Sequence, residues 1–432
     1  MSLKKDGYLP RIIDAEIEEN LQISGAILIE GPKWCGKTWT SLNHANSVTY
    51  IMDSSGDYSN KQLALFDPAS ILIDNKPQLI DEWQEVPSIW DAVRFDIDQN
   101  PGYGKYILTG SVLPPNNSYL HSGVGRITPI RMRPMTLFES SDSTGKISLK
   151  AIFDGDNIEP FLINIDILRL IDLTIRGGWP ETLNLPLEKA GKVATNYINA
   201  IVRNELFRED QPNRNKIKLR RLLRSLARNN ATTAAITTLS ADVDGDLRRT
   251  QNEKEIQLSR VSVADYIKDL TDIFIIEEIP PWNPEIRSKT IMRQSQKRVF
   301  VDPSLAIAAL SISRERLKQD LNTFGFMFEN LCLRDLAVYA GYYEGSLYHY
   351  RDNSDLEVDA IIEMPDGSWG AFEVKLGEHQ VDTAAATLIR FKDKMVTAGA
   401  NPPECMAIIT GSGIARLRED GVYVVPITAL RH

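Results

Sequence analysis

Between residues 20 and 135, short apolar runs alternate with polar stretches of helical length: AILIE, SVTYIMD, SILID, PQLIDEW and KYILTGS. Strands buried on both faces read as unbroken apolar runs, so this alternation predicts a parallel sheet wrapped by helices. At ESSDSTGKIS, Glu139 to Ser148, small and polar residues predict a loop near a boundary. From there to about 310 the chain reads as mainly helical. In KIKLRRLLRSLAR, Leu219, Leu222, Leu223, Leu226 and Ala227 recur at helical spacing while Lys216, Arg220, Arg224 and Arg228 project elsewhere. This predicts an amphipathic helix with a basic outer face. ADVDGDLRRTQNEKE reads as a long polar loop, and SVADYIKDL as a helix capped by Ser262, with Asp265 three positions on. The strand-like IFIIEEI, a turn rich in proline (Pro280, Pro281, Pro284) and KRVFVD follow. Helix, loop, helix and β-wing make a winged-helix-like arrangement the expectation. From roughly 320, FGFMFENLCLRDLAVYA reads as a helix before SLYHYRD, EVDAIIEM, WGAFEVKL, a long helical stretch, MAIITG and VYVVPI, a second α/β unit. The expected organisation is an α/β domain over 1–140, a helical and winged-helix-like middle over 141–315 and an α/β domain over 316–432.

Length and composition agree with this division. A chain of 432 residues is too long for one core, and 43% hydrophobic with 25% charged residues is ordinary for a globular protein. The start, MSLKKDGYLP, has no apolar segment behind its lysines, and no run of apolar residues is long enough to span a bilayer. Cys35, Cys332 and Cys405 form no CxxC pair and the five histidines are scattered, which gives no zinc or disulfide framework. A cytoplasmic location is expected. The net charge of -9 excludes a protein that coats nucleic acid over its whole surface. The middle is locally basic, however: nine Lys/Arg face three Asp/Glu between Arg203 and Arg228, and RSKTIMRQSQKR (Arg287 to Arg298) adds five more basic residues. DNA or RNA held through its phosphates is one reading of this region; a solvated helix face or an interface with acidic parts of the chain is the other.

The chemistry begins after AILIE with GPKWCGKT: Gly31, Pro32, Lys33, Trp34, Cys35, Gly36, Lys37 and Thr38. Glycines at the first and sixth positions let the backbone wrap phosphate with its amides, the lysine reaches the β and γ phosphates, and the threonine hydroxyl reaches Mg²⁺. In a strand-loop-helix context this predicts an ATP site. The metal needs a carboxylate at a neighbouring strand end, and hydrolysis needs a base for the attacking water. PQLIDEW supplies Asp81 for the metal and Glu82 for the base. Thr109 and Ser111 in YILTGSV sit at the tip of another strand, where a hydroxyl would sense the γ-phosphate; an ordinary strand-to-turn ending is the other reading. Arg126 in GVGRITPIRMRP is a charge sensor, with Arg131 and Arg133 as equal candidates. The Cys35 thiol, if reactive, would let alkylation block ATP; the simpler reading is a small residue at a variable loop position.

YLPRIID, GAILIEGPKWCGKT, PQLIDEWQ, ILTGS, GVGR and RMRPMTLFE together resemble the two-part AAA-type ATPases of bacteria and archaea, whose second half is a domain of unknown function with a restriction-endonuclease-like fold. GGWPETL and VDAIIEMPDGSWGAFEVKLG are similar to that second half, so the resemblance covers almost the whole chain. It implies a P-loop ATPase domain, a helical or winged-helix middle and a nuclease-like end, and it leaves oligomerisation open. The polar loop at about 241 to 257 is longer than expected of the family.

In EVDAIIEMPDGSWGAFEVKLG, Asp359 lies on one strand, and Glu373 and Lys375 sit two apart on the next, hence on one face. Asp followed by Glu-x-Lys resembles the PD-(D/E)xK nuclease core, in which two carboxylates hold a divalent metal that activates water and the lysine stabilises developing negative charge. Glu329 on the preceding helix is a further candidate ligand, and Gln380 a weaker one. The other reading of these residues is a nuclease-like fold kept as an inert binding module. A P-loop kinase acting on a small molecule is the rival for the first half.

Overall fold

The computed structural model describes residues 3–111, 123–205, 215–245, 259–284 and 295–432. It divides into two compact units, Met1–Pro134 with Asp272–Phe274, and Met135–Thr271 with Ile275–His432.

Five parallel strands form the centre of the first unit: β1 (Ala26–Glu30), β2 (Ser47–Tyr50), β3 (Gln78–Asp81), β4 (Tyr106–Gly110) and β5 (Ile127–Arg131), in the order β2-β3-β4-β1-β5. Helices α1 (Asp14–Ile23), α2 (Lys37–His44), α3 (Ser59–Phe66) and α4 (Ser88–Gln99) accompany them. Leu28, Ile80, Trp83, Trp90, Val93 and Leu108 close one buried layer. The central strands β1 and β4 are apolar because both faces are covered, which is why their sequences were legible. Two expectations fail at the margins. SILID is not a strand: Pro68 and the Asp67 side chain, which accepts from the Ala69 amide, turn it into a short 3₁₀ helix over Pro68–Ile71. Conversely, β5 lacks a continuous apolar run. It is an edge strand, half solvated, and there its exposed Pro129 costs no ladder bond.

The second unit holds β6 (Ile147–Ser148), β7 (Phe161–Ile163), β8 (Ile276–Ile279), β9 (Lys297–Phe300), β10 (Ser346–Arg351), β11 (Glu357–Glu363), β12 (Trp369–Lys375), β13 (Cys405–Thr410), β14 (Gly413–Leu417), β15 (Val422–Pro426) and β16 (Leu430–Arg431). Seven of these make one mixed sheet in the order β10-β11-β12-β13-β15-β14-β7. β10 to β12 is an antiparallel meander, while β12, β13 and β15 run parallel. Its helices are α5 (Leu149–Phe153), α6 (Ile167–Arg176), α7 (Leu187–Ala200), α8 (Lys216–Arg228), α9 (Ile236–Gly245), α10 (Arg260–Asp272), α11 (Pro303–Leu310), α12 (Arg314–Gln319), α13 (Leu321–Gly341) and α14 (Val381–Thr397). Trp282, Trp369 and Phe391 pack in the sheet's core, the two indoles 4.6 Å apart.

Helix α8 buries the leucines that the periodicity picks out. The polar stretch after it is shorter than expected. α9 continues to Gly245 because Leu239 and Val243 are buried and Asp242 accepts from Ser225 of α8 and from Asn229, which caps that helix, at 3.2 and 3.0 Å; the rest of that stretch, 246–258, lies outside the described residues. The cap of α10 is Ser259, whose hydroxyl accepts from the Ser262 amide at 3.1 Å, so Ser262 lies inside the first turn. β8 and β9 pair antiparallel.

GGWP organises the interior. Gly177 ends α6 with φ 71°, and a Cβ on Gly178 would stand 2.1 Å from the Met135 carbonyl. Trp179 stacks on Tyr197 and donates to Ser304 at 2.9 Å. Beside it, Arg334 donates to Asp302 at 2.7 Å and to Asp335 at 2.7 and 2.9 Å, all three side chains being buried. The Gly178 amide completes Asp302, and the Leu137 amide completes Asp335.

Candidate functional site

Parallel pairing brings the predicted nucleotide residues of the first unit to one edge. Ile29 is level with Thr109, and Thr109 with Asp81, so the loop leaving β1 opens beside the ends of β4 and β3, the crevice in which open α/β sheets bind ligands. Gly31 has φ 154° and Gly36 φ 105°; the latter precedes the first residue of α2. A Cβ on Gly31 would meet the Met132 carbonyl at 2.1 Å. Gly31→Ala is therefore expected to distort the loop and weaken ATP binding by at least about tenfold, since strain of this kind costs about 1–3 kcal/mol. Equilibrium titration of the folded variant measures this, and wild-type affinity would refute it.

Lys37 is buried, its ammonium donating to the Gly31 and Pro32 carbonyls at 2.9 and 2.8 Å. Thr38 Oγ1 donates to Asp81 Oδ1 at 2.8 Å, and Thr109 Oγ1 donates to the same oxygen at 2.7 Å. Glu82 stands in the left-handed region at φ 60°; its amide donates to Thr109 Oγ1, and its carboxylate accepts from Gln84 and, at 3.4 Å, from Ser111. Lys33 and Trp34 are exposed, with Trp34 at φ 67°. Cys35 is fully buried, its thiol 3.9 Å from the Met132 carbonyl, which leaves a bulky alkylating agent no access.

Arg126 is not brought to this edge. Its carbonyl accepts from the Ala26 amide at the start of β1, about 16 Å along the strand from the phosphate loop, and its guanidinium pairs with Asp98 at 2.9 Å. Arg131 ends the same strand on the loop's side, over the Phe274 ring at 4.2 Å, and Arg133 follows two residues beyond it. A residue the motifs give no role, Arg11 of YLPRIID, braces the loop. Its buried guanidinium donates to the Cys35 and Arg133 carbonyls, both at 2.8 Å, and thereby ties the loop to the chain beyond β5. Behind it, Asp14 accepts from Tyr8 and pairs with His44 at 2.9 Å.

In the second unit, Asp359, Glu373 and Lys375 do converge. Lys375 Nζ lies 2.5 Å from Glu373 Oε2 and 3.2 Å from Asp359 Oδ2, which also accepts from the Val374 amide at 2.8 Å. Glu329 faces the same group from α13. Gln380 does not join them: its side chain accepts from the Gly377 amide. The residue that sequence reasoning misses is Lys297. It belongs to the basic stretch read as a nucleic-acid contact, yet it is fully buried, with Nζ 2.8 Å from Glu329, 3.6 Å from Glu357 and 3.9 Å from Asp359 Oδ1. The signal was its place at the head of an apolar strand. Its neighbour Arg298 pairs with Glu278, and Arg287, Lys289 and Arg293 lie outside the described residues. Burial alone would push the Lys297 ammonium toward deprotonation, but Glu329, Asp359 and Glu357 outweigh it and hold the charge. Burial raises the Glu329 and Glu373 carboxyls, helped by the charge of Asp359. Among the described residues, no group of three or more His, Cys, Asp or Glu is set to hold a metal ion, and no helix is long and apolar enough to cross a membrane.

Models of three families match this chain: an AAA domain over residues 24–141, and two domains of unknown function, DUF8612 over 167–316 and DUF4143 over 324–430. Two uncharacterized proteins, from Mycobacterium bovis and Mycobacterium tuberculosis, are each 22% identical over 84% of this chain and 72% of their own length. Among solved structures, a Walker-type ATPase of Pyrococcus abyssi is similar at 12% identity and TM-score 0.42, over 71% of this chain and 97% of that one. A replication initiator DnaA bound to AMPPCP and single-stranded DNA is similar at 10% identity and TM-score 0.29, over 62% of this chain and 91% of that one. With the AAA match laid over Gly31–Thr38, Asp81 and Thr109, residues 24–141 are a nucleotide-binding AAA-type P-loop ATPase domain.

Proposed function

We propose that this protein hydrolyses Mg²⁺-ATP and that its nucleotide cycle acts on residues 135–432 of the same chain, which bind nucleic acid rather than cut it. The observation that carries the first part is the convergence of Thr38 and Thr109 on one oxygen of Asp81. A hydroxyl and a carboxylate 2.8 Å apart are hard oxygen donors of the kind Mg²⁺ takes, directly or through its retained waters. When bound, the ion neutralises charge on the β and γ phosphates; Lys37 and the loop amides hold those phosphates, and Glu82, oriented by Gln84 and Ser111, polarises the attacking water. Arg126 would reach a nucleotide only from a second copy of the chain. The test is phosphate release from ATP with and without Mg²⁺: free phosphate with no phosphorylated acceptor supports hydrolysis, and a labelled small-molecule acceptor would make the protein a kinase.

For the second part, support comes from a cleft of about 830 Å³ lined by Arg203, Lys216, Arg220, Arg221, Arg224 and Arg316, with no acidic residue in its wall among the described residues. In a chain of net charge -9, such a concentration of cations suits a phosphate backbone. Helices α8 to α10 followed by the β8–β9 pair give the chain order of a winged-helix-like module, which supports the same reading. The meander β10–β12 bearing Asp359, Glu373 and Lys375 supports a nuclease-like fold for the end of the chain. The pairing of Asp359 with Lys297 and Lys375, and of Glu373 with Lys375, favours an inert one.

A further inference from the structure

We infer that the Lys297 ammonium is the resident cation joining Glu329 to Asp359 in the carboxylate cluster on α13, β11 and β12, and that with Lys375 between Asp359 and Glu373 it takes the place a divalent metal would need among these carboxylates. The inference rests on the nuclease-like reading of that domain. Its basis is the disposition of oxygens around one nitrogen. Nζ of Lys297 is 2.8 Å from Glu329 Oε1, 3.3 Å from the Asp359 carbonyl, 3.6 Å from Glu357 Oε1 and 3.9 Å from Asp359 Oδ1. The group that joins Glu329 to Asp359 is therefore an amine carried by β9. On the other side, Lys375 joins Asp359 to Glu373. Both oxygens of Asp359 thus face a cation, and Oδ2 carries a backbone amide as well.

A Mg²⁺ or Mn²⁺ ion needs carboxylate oxygens close to 2 Å away. Brought into this cluster, it would sit within a few ångströms of two ammonium groups in a place dry enough to leave their repulsion poorly screened. Lys297 cannot swing aside to make room. Its side chain is fully buried, and a lysine is tolerated there only because anions surround it. The same pairing keeps Glu329, Asp359 and Glu373 gathered and the fold intact without a metal.

Full-length, nucleotide-free protein tests this by Mn²⁺ titration and thermal melting in parallel, with ATP hydrolysis measured separately so that the P-loop reading is judged on its own. Wild type should bind no stoichiometric Mn²⁺, melt at the same temperature in Mn²⁺ and in chelator, and leave single- and double-stranded DNA and RNA uncut in Mn²⁺. Lys297→Ala should melt lower in chelator, recover much of the loss in Mn²⁺, and bind one Mn²⁺ per chain at least about tenfold more tightly than wild type. Adding Glu329→Gln should remove that binding. One Mn²⁺ bound by wild type and lost in Asp359→Asn, or cleavage lost in that variant, overturns the inference by showing a working metal site. A folded Lys297→Ala that takes no Mn²⁺ also overturns it, and separately sinks the nuclease-like reading. Should Lys297→Ala fail to fold, the wild-type titration and cleavage assay still decide.

Discussion

Lys37→Ala is expected to reduce ATP hydrolysis by about a hundredfold or more and to abolish tight nucleotide binding. The ammonium is the one positive side chain buried inside the loop, 2.8–2.9 Å from two loop carbonyls. Those carbonyls hold it folded toward the space the loop encloses, so a phosphate arriving there exchanges neutral acceptors for a charged one. Removing a single preorganised donor from such a site costs about 3–4 kcal/mol in known enzymes, which sets the hundredfold scale. The substitution leaves no buried charge behind, because the partners lost are neutral backbone carbonyls. The variant should therefore melt near wild type, which separates a binding defect from a folding one. Fluorescent-nucleotide titration and phosphate release measure the loss. Retention of wild-type turnover by a correctly folded Lys37→Ala would contradict the role assigned to the loop.

The largest effect on stability is expected far from any ligand, at Arg334. Its guanidinium holds Asp302 and Asp335, and each carboxylate in turn receives a backbone amide, from Gly178 and Leu137. Asp302 also caps α11 through the Ser304 amide. Arg334→Met replaces the cation with an apolar chain of comparable length and leaves two fully buried carboxylates facing each other. Breaking a buried pair this way costs about 3–5 kcal/mol, or roughly 10 °C in a domain of this size. Arg334→Lys keeps the charge but loses the fork that reaches both acids, so its melting temperature should fall between the two. A loss below about 1 kcal/mol in chemical denaturation would mean that the buried Arg334 network does not hold this part of the fold together.

What could be read in advance follows from where the physical constraint is local. The P-loop was legible because every part of it lies within eight consecutive residues whose chemistry is dictated by phosphate. Asp81, Glu82 and Thr109 were legible because each lies at or next to the end of a buried strand, and parallel pairing leaves such strand ends few places to go. Arg126 was misplaced for the converse reason: it begins a half-solvated edge strand that carries no apolar run, so nothing in the sequence said which end of the sheet it occupies. Arg11 and Lys297 act through tertiary contacts separated by 24 and 32 residues from their partners, a distance over which composition is silent. The basic face around α8 was visible as periodicity, while the burial of Lys297 ran against it. A charged residue heading the apolar strand KRVF was the available warning that this lysine belongs to the interior.

ATP hydrolysis is assigned to the edge formed by the loop after β1 and the ends of β3 and β4. Single-turnover hydrolysis by Glu82→Gln, with ATP affinity measured on the same sample, is the decisive experiment, because the amide keeps the shape and one oxygen to accept from Gln84, can donate to Ser111 where the carboxylate accepted, and removes the base. Binding within a fewfold of wild type together with hydrolysis slowed by about a hundredfold or more is the expected result. Unchanged hydrolysis, or a wild-type protein that binds no ATP in the presence of Mg²⁺, would show that this edge is not the site of hydrolysis.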